Sequence, residues 1–301
     1  MSFVPSPMAA APQPVRHYEN FPVASWLCPP RLRPAVAAIY HFARTADDLA
    51  DEGDAPPGAR LADLAAYRAD LEACAEGQPA SARWERVFGA LAVAMASHRL
   101  PLQPLRDLLS AFEQDVAATR DARVYADRAE LVDYCARSAN PVGRMMLHLY
   151  GIDDPQALAR SDDVCTALQL INCWQDLGVD LARGRHYLPA ADLRAHGMDP
   201  AQPATWATHP AAGELLAAEV DWARALMLRG AGLALDVPGR AGWELRAVVH
   251  GGLRILDKIA ADGFRSFTRR PRLGLADAPV IGWRCLRMPR AGFAAMGQSR
   301  A

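Results

Sequence analysis

The sequence predicts an all-α protein whose helices pack into one bundle-like domain. Three observations carry this prediction. The chain is rich in Ala, which favours helix; apolar residues recur with a period near 3.6 along most of its length; and no stretch has the alternating β-branched pattern of strands. The chain has 301 residues, 51% of them hydrophobic and 22% charged, so it can bury a large core and is not of the disordered class.

Three segments show the helical pattern most clearly, because each places apolar residues three or four positions apart on one helix face. The faces comprise Leu61, Leu64, Tyr67 and Leu71; Leu105, Leu108, Leu109, Phe112 and Val116; and Leu215, Leu216, Val220, Ala223, Leu226 and Met227. Segments rich in Pro and Gly interrupt the periodicity at 29–30, 53–58, 100–104, 151–155, 184–210 and 237–241. These breaks predict about eight to ten helices.

Charge and cysteine usage exclude several classes of protein. The net charge of −1 and the pI near 6.7 argue against a general nucleic-acid binder. The six cysteines form no C-x-x-C pair, which excludes the common zinc-site and disulfide frameworks. The first residues do not resemble a signal peptide, and no apolar run reaches about 18 residues. We therefore expect a cytoplasmic protein.

Composition divides the chain into three parts. Residues 1–15 are a Pro- and Ala-rich stretch that we expect to be a disordered tail, residues 16–268 form the helical domain, and residues 269–301 form a basic C-terminal segment. After residue 263 the chain has eight arginines and one acidic residue, Asp277, interleaved with aromatic and aliphatic side chains. Two interpretations stay open: a solvated tail, or a peripheral contact with anionic lipid at the inner membrane surface.

Two acidic stretches are the most informative local patterns. Asp47 and Asp51 lie four residues apart, so a helix projects both carboxylates from one face. Asn172, Asp176 and Asp180 repeat the same spacing, and we expect them on three successive turns of one helix. The second stretch lies in a strongly apolar context, where two carboxylates repel each other at a cost of roughly 3 kcal/mol. A solvated acidic face is the alternative for either stretch alone, but the repetition favours a compensating cation.

Oxygen ligands without Cys or His select Mg²⁺, with Mn²⁺ as the alternative ion. Mg²⁺ is commonly held by a few carboxylates together with phosphate oxygens of a substrate. Two acidic helices that face each other across a bundle would therefore hold a diphosphate through bridging ions and promote its departure. The carbocation left behind needs a dry apolar pocket, which a helical bundle can supply.

Five motifs in order resemble the squalene/phytoene synthase family, from about residue 17 to residue 290. The motif residues are His17 and Phe21; Tyr40, Arg44, Asp47 and Asp51; Tyr134 and Gly143; Gln169, Asn172, Asp176 and Asp180; and Gly184, Arg185, Tyr187, Leu188 and Pro189. Any one of these motifs alone would be weak, whereas five at family spacing make a strong signal. The resemblance implies an isoprenoid-synthase helical bundle around a central cavity.

The resemblance also implies a role for each motif residue. The metal-binding set is Asp47, Asp51, Asn172, Asp176 and Asp180. The catalytic set is Asp47, Asp51, Asp176, Asp180, Tyr40 and Arg44. The substrate-binding set is His17, Phe21, Arg44, Tyr134, Ser138, Gln169, Asn172, Arg185 and Tyr187. For Arg44 an ion pair within its own helix is the alternative to diphosphate contact, and for Arg185 and Tyr187 a simple helix-ending turn is the alternative.

The segments around residues 17–25 and 43–54 are most similar to the branch of the family that makes hydroxysqualene. That resemblance implies Mg²⁺-dependent ionisation of presqualene diphosphate, rearrangement of the cation and capture of water, with no NADPH. Farnesyl diphosphate is the other implied substrate, and neighbouring pathway enzymes are implied partners. Synthesis of presqualene diphosphate, squalene or phytoene remains an alternative activity, and a non-catalytic helical assembly factor is an alternative of a different class.

This sequence departs from many relatives at two places. Gln175 and Val179 stand where relatives often have Arg and Glu beside the second acidic motif, and we interpret the loss of that Arg as adaptation to a single diphosphate. Ser138 and Asn140 stand beside a helix break at Pro141. They are candidates to hold the water that quenches a carbocation, and satisfying backbone groups near the proline is the alternative.

Overall fold

A computed structural model describes residues 28–288, and these residues are all-α, as predicted. The helices run Arg33–Asp51 (α1), Pro57–Ala75 (α2), Glu85–His98 (α3), Gln103–Arg120 (α4), Arg128–Ser138 (α5), Asn140–Leu149 (α6), Pro155–Gln175 (α7), Leu177–Ala182 (α8), Ala190–Ala195 (α9), Pro203–Trp206 (α10), Ala212–Gly230 (α11), Leu233–Asp236 (α12), Gly239–Ala261 (α13) and Ala278–Leu286 (α14). Within the described part ten helices have nine residues or more, and no strand occurs there.

The three predicted apolar faces are buried in α2, α4 and α11, respectively. The segment 184–210, predicted only as a break, contains the short helices α9 and α10. Each begins next to a proline, whose fixed φ and missing N–H suit the first turn of a helix. The prediction of separate segments at residues 1–15 and 269–301 stays a prediction, because residues 1–27 and 289–301 lie outside the described residues.

Two apolar clusters form the core of the bundle. One joins α1, α2, α3 and α4, and the other joins α5, α7, α11 and α13. Helix α6 packs on α7 so closely that a side-chain carbon at Gly143 would lie 2.4 Å from Ser161 Oγ, which only glycine avoids. The two clusters diverge around a cavity of about 490 Å³ that lies between α1, α6, α7 and α13.

The acidic end of α1 is fixed by a neighbouring arginine. Helix C-termini leave carbonyl groups without helical partners. The Arg60 guanidinium donates to three such carbonyls, those of Leu49, Glu52 and Gly53, at 3.3, 3.0 and 2.6 Å. Because of these bonds, the last turn of α1, which carries Asp51, is held against the start of α2.

The expectation that Asn172, Asp176 and Asp180 lie on one uninterrupted helix is wrong. Helix α7 ends at Gln175 and α8 begins at Leu177, with Asp176 between them. The Gly178 N–H donates to the Ser266 carbonyl at 3.2 Å instead of continuing the helix ladder. The chain after α13 thus interrupts the helix, and the two terminal aspartates still lie one turn apart because Asp180 N–H donates to the Asp176 carbonyl at 2.9 Å.

Candidate active site

The first acidic motif forms one stripe of α1 that faces the cavity. Tyr40, Arg44 and Asp47 follow at spacings of four and three residues, and all three line the cavity wall. The Arg44 guanidinium lies 3.0 Å from Asp47 Oδ2 and 2.6 Å from Asp48 Oδ1. Arg44 therefore makes the intrahelical ion pair that the sequence offered as one interpretation.

The second acidic motif lies at the junction of α7 and α8. Asp180 has its pKa raised to about 7, mainly because it is buried and further because the charge of Asp176 is close. Asn172 is exposed one turn earlier on α7. The junction therefore places two carboxylates so close together that the charge of Asp176 adds to the rise in the pKa of Asp180.

Arg185 joins the two motifs across the bundle. It follows Gly184, which has a φ of +76° and so turns the chain back after α8. The Arg185 guanidinium forms an ion pair with Asp51, and both side chains are largely buried. The Arg185 backbone N–H donates to the Asp180 carbonyl at 2.9 Å, so this residue contacts both acidic stretches.

Asp115 of α4 is a site residue that the sequence analysis missed. Burial raises its pKa to about 7, and the negative charges of Asp47 and Asp180 add to that rise. The carboxyl therefore lies within electrostatic reach of both acidic motifs. It occurs in the sequence as one acid in an amphipathic helix, so no spacing signal marks it.

Two tyrosines from the predicted substrate-binding set bond to Asp115. The Tyr134 hydroxyl donates to Oδ2 at 2.9 Å, and the Tyr187 hydroxyl lies 3.5 Å from Oδ1. Both rings are buried and pack against Tyr125, with ring centroids 5.6 and 6.1 Å away. Their contact with substrate stays a prediction, since the structure describes these hydroxyls as partners of the buried carboxyl.

Arg270 is a second residue that the sequence analysis did not assign to the site. Its guanidinium forms a two-pronged ion pair with Asp176, with Nη2 2.7 Å from Oδ2. The segment that carries it is tied to α7, because Gln175 Nε2 donates to the Pro271 carbonyl at 2.6 Å. The arginine excess after residue 263 was visible in the sequence, but its contact with a motif 94 positions away was not.

The cavity extends from this charged cluster into an apolar interior. Tyr40, Arg44 and Asp47 supply polar groups at the acidic end of α1. Most of the remaining wall is aliphatic or aromatic: Val36, Ile39, Ala43, Phe112, Val142, Met146, Leu147, Val164, Leu168, Leu233, Val237, Ala241, Leu245 and Val248. The chamber has the size and the apolar character of a ligand site.

The remaining predicted residues have mixed positions. His17 and Phe21 lie outside the described residues. Gln169 is partly buried on α7. The Ser138 hydroxyl is buried without a hydrogen-bond partner, whereas Asn140 Oδ1 accepts from Thr166 at 3.0 Å. Neither Ser138 nor Asn140 is among the cavity-lining residues, and a role in holding water stays a prediction.

The donor set suits a hard divalent ion that also binds a substrate. All predicted ligands offer oxygen atoms, which Mg²⁺ prefers. Among residues 28–288 no three His, Cys, Asp or Glu side chains converge closely enough to hold a metal by themselves. This arrangement fits ions that take one or two carboxylates each from the protein and the rest of their ligands from phosphate and water.

Comparison with known proteins gives the family of the chain. The model of the squalene/phytoene synthase family matches residues 15–277. This chain belongs to the squalene/phytoene synthase family. The match spans both acidic motifs, the Tyr134 segment and the loop that carries Arg185.

Individual relatives carry more than one name within the family. A hydroxysqualene synthase of Rhodopseudomonas palustris is 39% identical over 180 residues, which are 60% of this chain and 58% of that relative. This chain therefore spans less than two thirds of that relative's length. A phytoene synthase of Thermus thermophilus is 34% identical over 93% of this chain and 90% of its own length. The crystal structure of squalene synthase HpnC from Alicyclobacillus acidocaldarius has 37% identity and a TM-score of 0.72, covering 82% of this chain and 90% of that chain.

The departures from the family pattern have distinct structural settings. Gln175, which replaces a common Arg, is almost fully buried and faces the Pro271 carbonyl rather than the cavity. Val179 is 44% exposed on α8. Arg270 supplies a cation to Asp176 from a distant part of the chain, so the acidic junction of this family member is paired with a positive charge.

Proposed function

We propose that this protein converts presqualene diphosphate into hydroxysqualene with the help of Mg²⁺. The observation that carries the proposal is the meeting of two acidic motifs, through Arg185 and Asp51, beside an apolar chamber of about 490 Å³. A charged cluster at one end of an apolar cavity suits an amphiphilic substrate with a diphosphate at one end of a hydrocarbon. The reaction breaks the carbon–oxygen bond to diphosphate, forms a bond to the oxygen of water and releases one proton.

The residues that would hold the metal are Asp47, Asp51, Asn172, Asp176 and Asp180, with Mn²⁺ as the alternative ion. When bound, the ion supplies positive charge to the departing diphosphate. The acidic residues position the leaving group at one end of the cavity. The raised pKa of Asp180 supports this assignment, because a cation beside this carboxyl would offset the repulsion that its neighbour Asp176 adds.

Three arginines beside the acidic motifs are the proposed contacts of the diphosphate itself. Arg44, Arg185 and Arg270 each form an ion pair with a motif carboxylate. A planar guanidinium binds phosphate oxygens in the same two-pronged geometry. When the substrate and its ions bind, these ion pairs would separate. The carboxylates would then contact the metal, and the arginines would contact the phosphates.

The apolar walls have two tasks in this proposal. They bury the hydrocarbon arms of the substrate, a contribution of about 25 cal/mol per Å² of apolar surface. They also keep bulk water from the carbocation, so that rearrangement precedes capture by a single water molecule. Aromatic faces near the acidic end, such as that of Tyr40, are suited to attract the cation.

Joining of two prenyl diphosphates is the second candidate function. It is supported by the phytoene synthase of Thermus thermophilus, which aligns along 93% of this chain, a greater share than the 60% aligned with the hydroxysqualene synthase. The two activities share the diphosphate chemistry of the site. They differ in whether the chamber accepts one substrate with two arms or two separate substrates.

The deciding experiment is product identification by mass spectrometry. The purified full chain is incubated with presqualene diphosphate and Mg²⁺, and in parallel with farnesyl or geranylgeranyl diphosphate, each with and without NADPH. Hydroxysqualene from presqualene diphosphate, independent of NADPH, is the expected result. Efficient formation of a C30 or C40 product from the separate prenyl diphosphates would favour the second function. No product from any substrate, with no Mg²⁺-dependent rise in melting temperature, would favour a non-catalytic assembly factor.

A matched pair of variants tests the assignment of the acidic junction. Asp176 and Asp163 belong to the same part of the chain, and each accepts two hydrogen bonds from one arginine, Arg270 and Arg229 respectively. Asp176→Asn is expected to lower turnover by at least about a hundredfold, whereas Asp163→Asn keeps it. Equal effects of the two substitutions would remove the proposed metal role.

A further inference from the structure

The outer face of helix α14 is unusually apolar for an exposed surface. Of the four most exposed large apolar side chains among residues 28–288, three lie within 275–286: Leu275 is 96% exposed, Leu286 70% and Trp283 56%. Trp283 and Leu286 are one helical turn apart and so share a face. These three residues with Arg272 and Arg287 are named the α14 patch.

The α14 patch is anchored to α13 by ion pairs on its inner side, one group of which centres on a buried carboxylate. Asp277, 3% exposed, accepts hydrogen bonds from Arg254 Nε and Lys258 Nζ of α13, both at 2.7 Å. Arg284 of α14 donates to Asp257 of α13, also at 2.7 Å. The cations of α13 hold the pKa of Asp277 well below its usual range. The outward orientation of the apolar side chains is therefore fixed by the fold.

The charge around the α14 patch has one sign. Between residues 269 and 288 the chain has one acidic residue, and it is the buried, neutralised Asp277. Arg272 and Arg287 are exposed, and the Arg287 guanidinium stacks on the Trp283 ring with its carbon 4.1 Å from the ring centroid. Trp and Arg side chains each have an apolar body and a polar end, so they are suited to the boundary between lipid tails and headgroups.

We infer that the α14 patch binds the surface of an anionic lipid bilayer. The apolar side chains enter the outer acyl layer, and the arginines contact the phosphates of the headgroups. Charge complementarity selects this occupant: between residues 269 and 288 the chain has exposed arginines and no exposed carboxylate, which matches the negative charge of anionic headgroups. Within residues 28–288 none of the helices combines the length and apolar character needed to cross a bilayer, so the contact is peripheral.

The patch is linked to the acidic site by the chain itself. The segment that ends in α14 begins at Arg270, the partner of Asp176, and Gln175 anchors it at Pro271. The α14 patch and the partner of Asp176 therefore belong to one continuous segment, Arg270 to Arg287. The inference itself rests on the exposed surface and its charge, and it is independent of the reaction proposed above.

The test is vesicle flotation with the purified full chain. Vesicles of phosphatidylcholine mixed with phosphatidylglycerol are compared with vesicles of phosphatidylcholine alone. The protein is expected to float with the anionic vesicles and not with the neutral ones. Binding should weaken at about 0.5 M NaCl, where the screening length falls to about 4 Å.

Two variants separate the apolar and the ionic parts. Leu275→Ser/Trp283→Ser/Leu286→Ser is expected to lower binding at least about tenfold, and Arg272→Glu/Arg287→Glu is expected to lower it by roughly tenfold or more on anionic vesicles. The control Val93→Ser/Val132→Ser changes two exposed valines elsewhere on the surface and should bind like the parent. Melting temperatures of all variants identify those that fold normally.

Three results would overturn the inference. The parent fails to float with anionic vesicles; folded variants of the α14 patch float as well as the parent and the valine control; or sedimentation shows that the parent self-associates and the serine variant does not. The last result would make the patch an interface between two copies of the chain. Because no substrate is present in these assays, their outcome is separate from that of the product analysis.

Discussion

Asp115→Asn is the substitution whose effect can be worked out most fully from the structure. In the unfolded chain this carboxyl releases its proton near pH 3.8, whereas burial and two acidic neighbours raise its pKa to about 7 in the fold. Between these values the folded protein binds more protons than the unfolded chain. Its stability therefore falls as pH rises through that window and levels off above pH 7.

The magnitude follows from the shift. One pKa unit corresponds to about 1.36 kcal/mol, so the charge of Asp115 should lower the free energy of unfolding by about 3 kcal/mol between pH 5 and pH 8, most of it below pH 7. Asparagine has no proton to release and lacks this fall. Asn keeps an acceptor oxygen for one of the two tyrosine hydroxyls, Tyr134 and Tyr187, and has an NH₂ group that can donate to the other.

Urea unfolding between pH 5 and pH 8 in the presence of a metal chelator measures the effect. Over this pH range the free energy of unfolding should fall by about 3 kcal/mol more in the parent than in Asp115→Asn. The control Asp133→Asn removes a carboxylate that is 71% exposed on α5 and should follow the parent. If the difference between Asp115→Asn and the parent varies by less than about 1 kcal/mol over this range, the electrostatic reasoning is refuted.

Two further substitutions test how the scaffold supports the site. Gly178→Ala would place a carbon 2.3 Å from the Phe267 carbonyl oxygen and should destabilise the protein by about 2–3 kcal/mol. The control Gly213→Ala has nothing within 4 Å of the added carbon and should be neutral or stabilising. Equal melting temperatures for the two variants would contradict the close approach at Gly178. Arg128→Met leaves the fully buried Glu219 without its cation and should cost about 3 kcal/mol at pH 8. The cost should be smaller at pH 5, because burial raises the pKa of Glu219 to about 7 and the carboxyl is then protonated. Urea unfolding at pH 5 and pH 8 measures the cost, and an equal cost at both pH values would contradict the prediction.

Much of the helical framework could be predicted because it is encoded locally. The apolar faces of α2, α4 and α11 follow from spacings within a few residues, and Pro- and Gly-rich segments mark most of their ends. The spacing of Asp47 and Asp51 likewise fixes which carboxylates share a face of α1. The division between α7 and α8 could not be predicted, because its cause is the Ser266 carbonyl, which the fold brings to Gly178 from a distant part of the chain.

The sequence by itself determined that the protein is helical, that Asp47 and Asp51 share one face of a helix, and to which family the motifs point. Only the tertiary structure decided that Asp115 lies near both acidic motifs, that Arg270 pairs with Asp176, and that α14 turns an apolar face outward. The physical reason is that periodicity specifies the face of one helix, whereas burial, pKa and ion pairing depend on which faces meet. Those meetings join residues that are many tens of positions apart, and no local pattern records them.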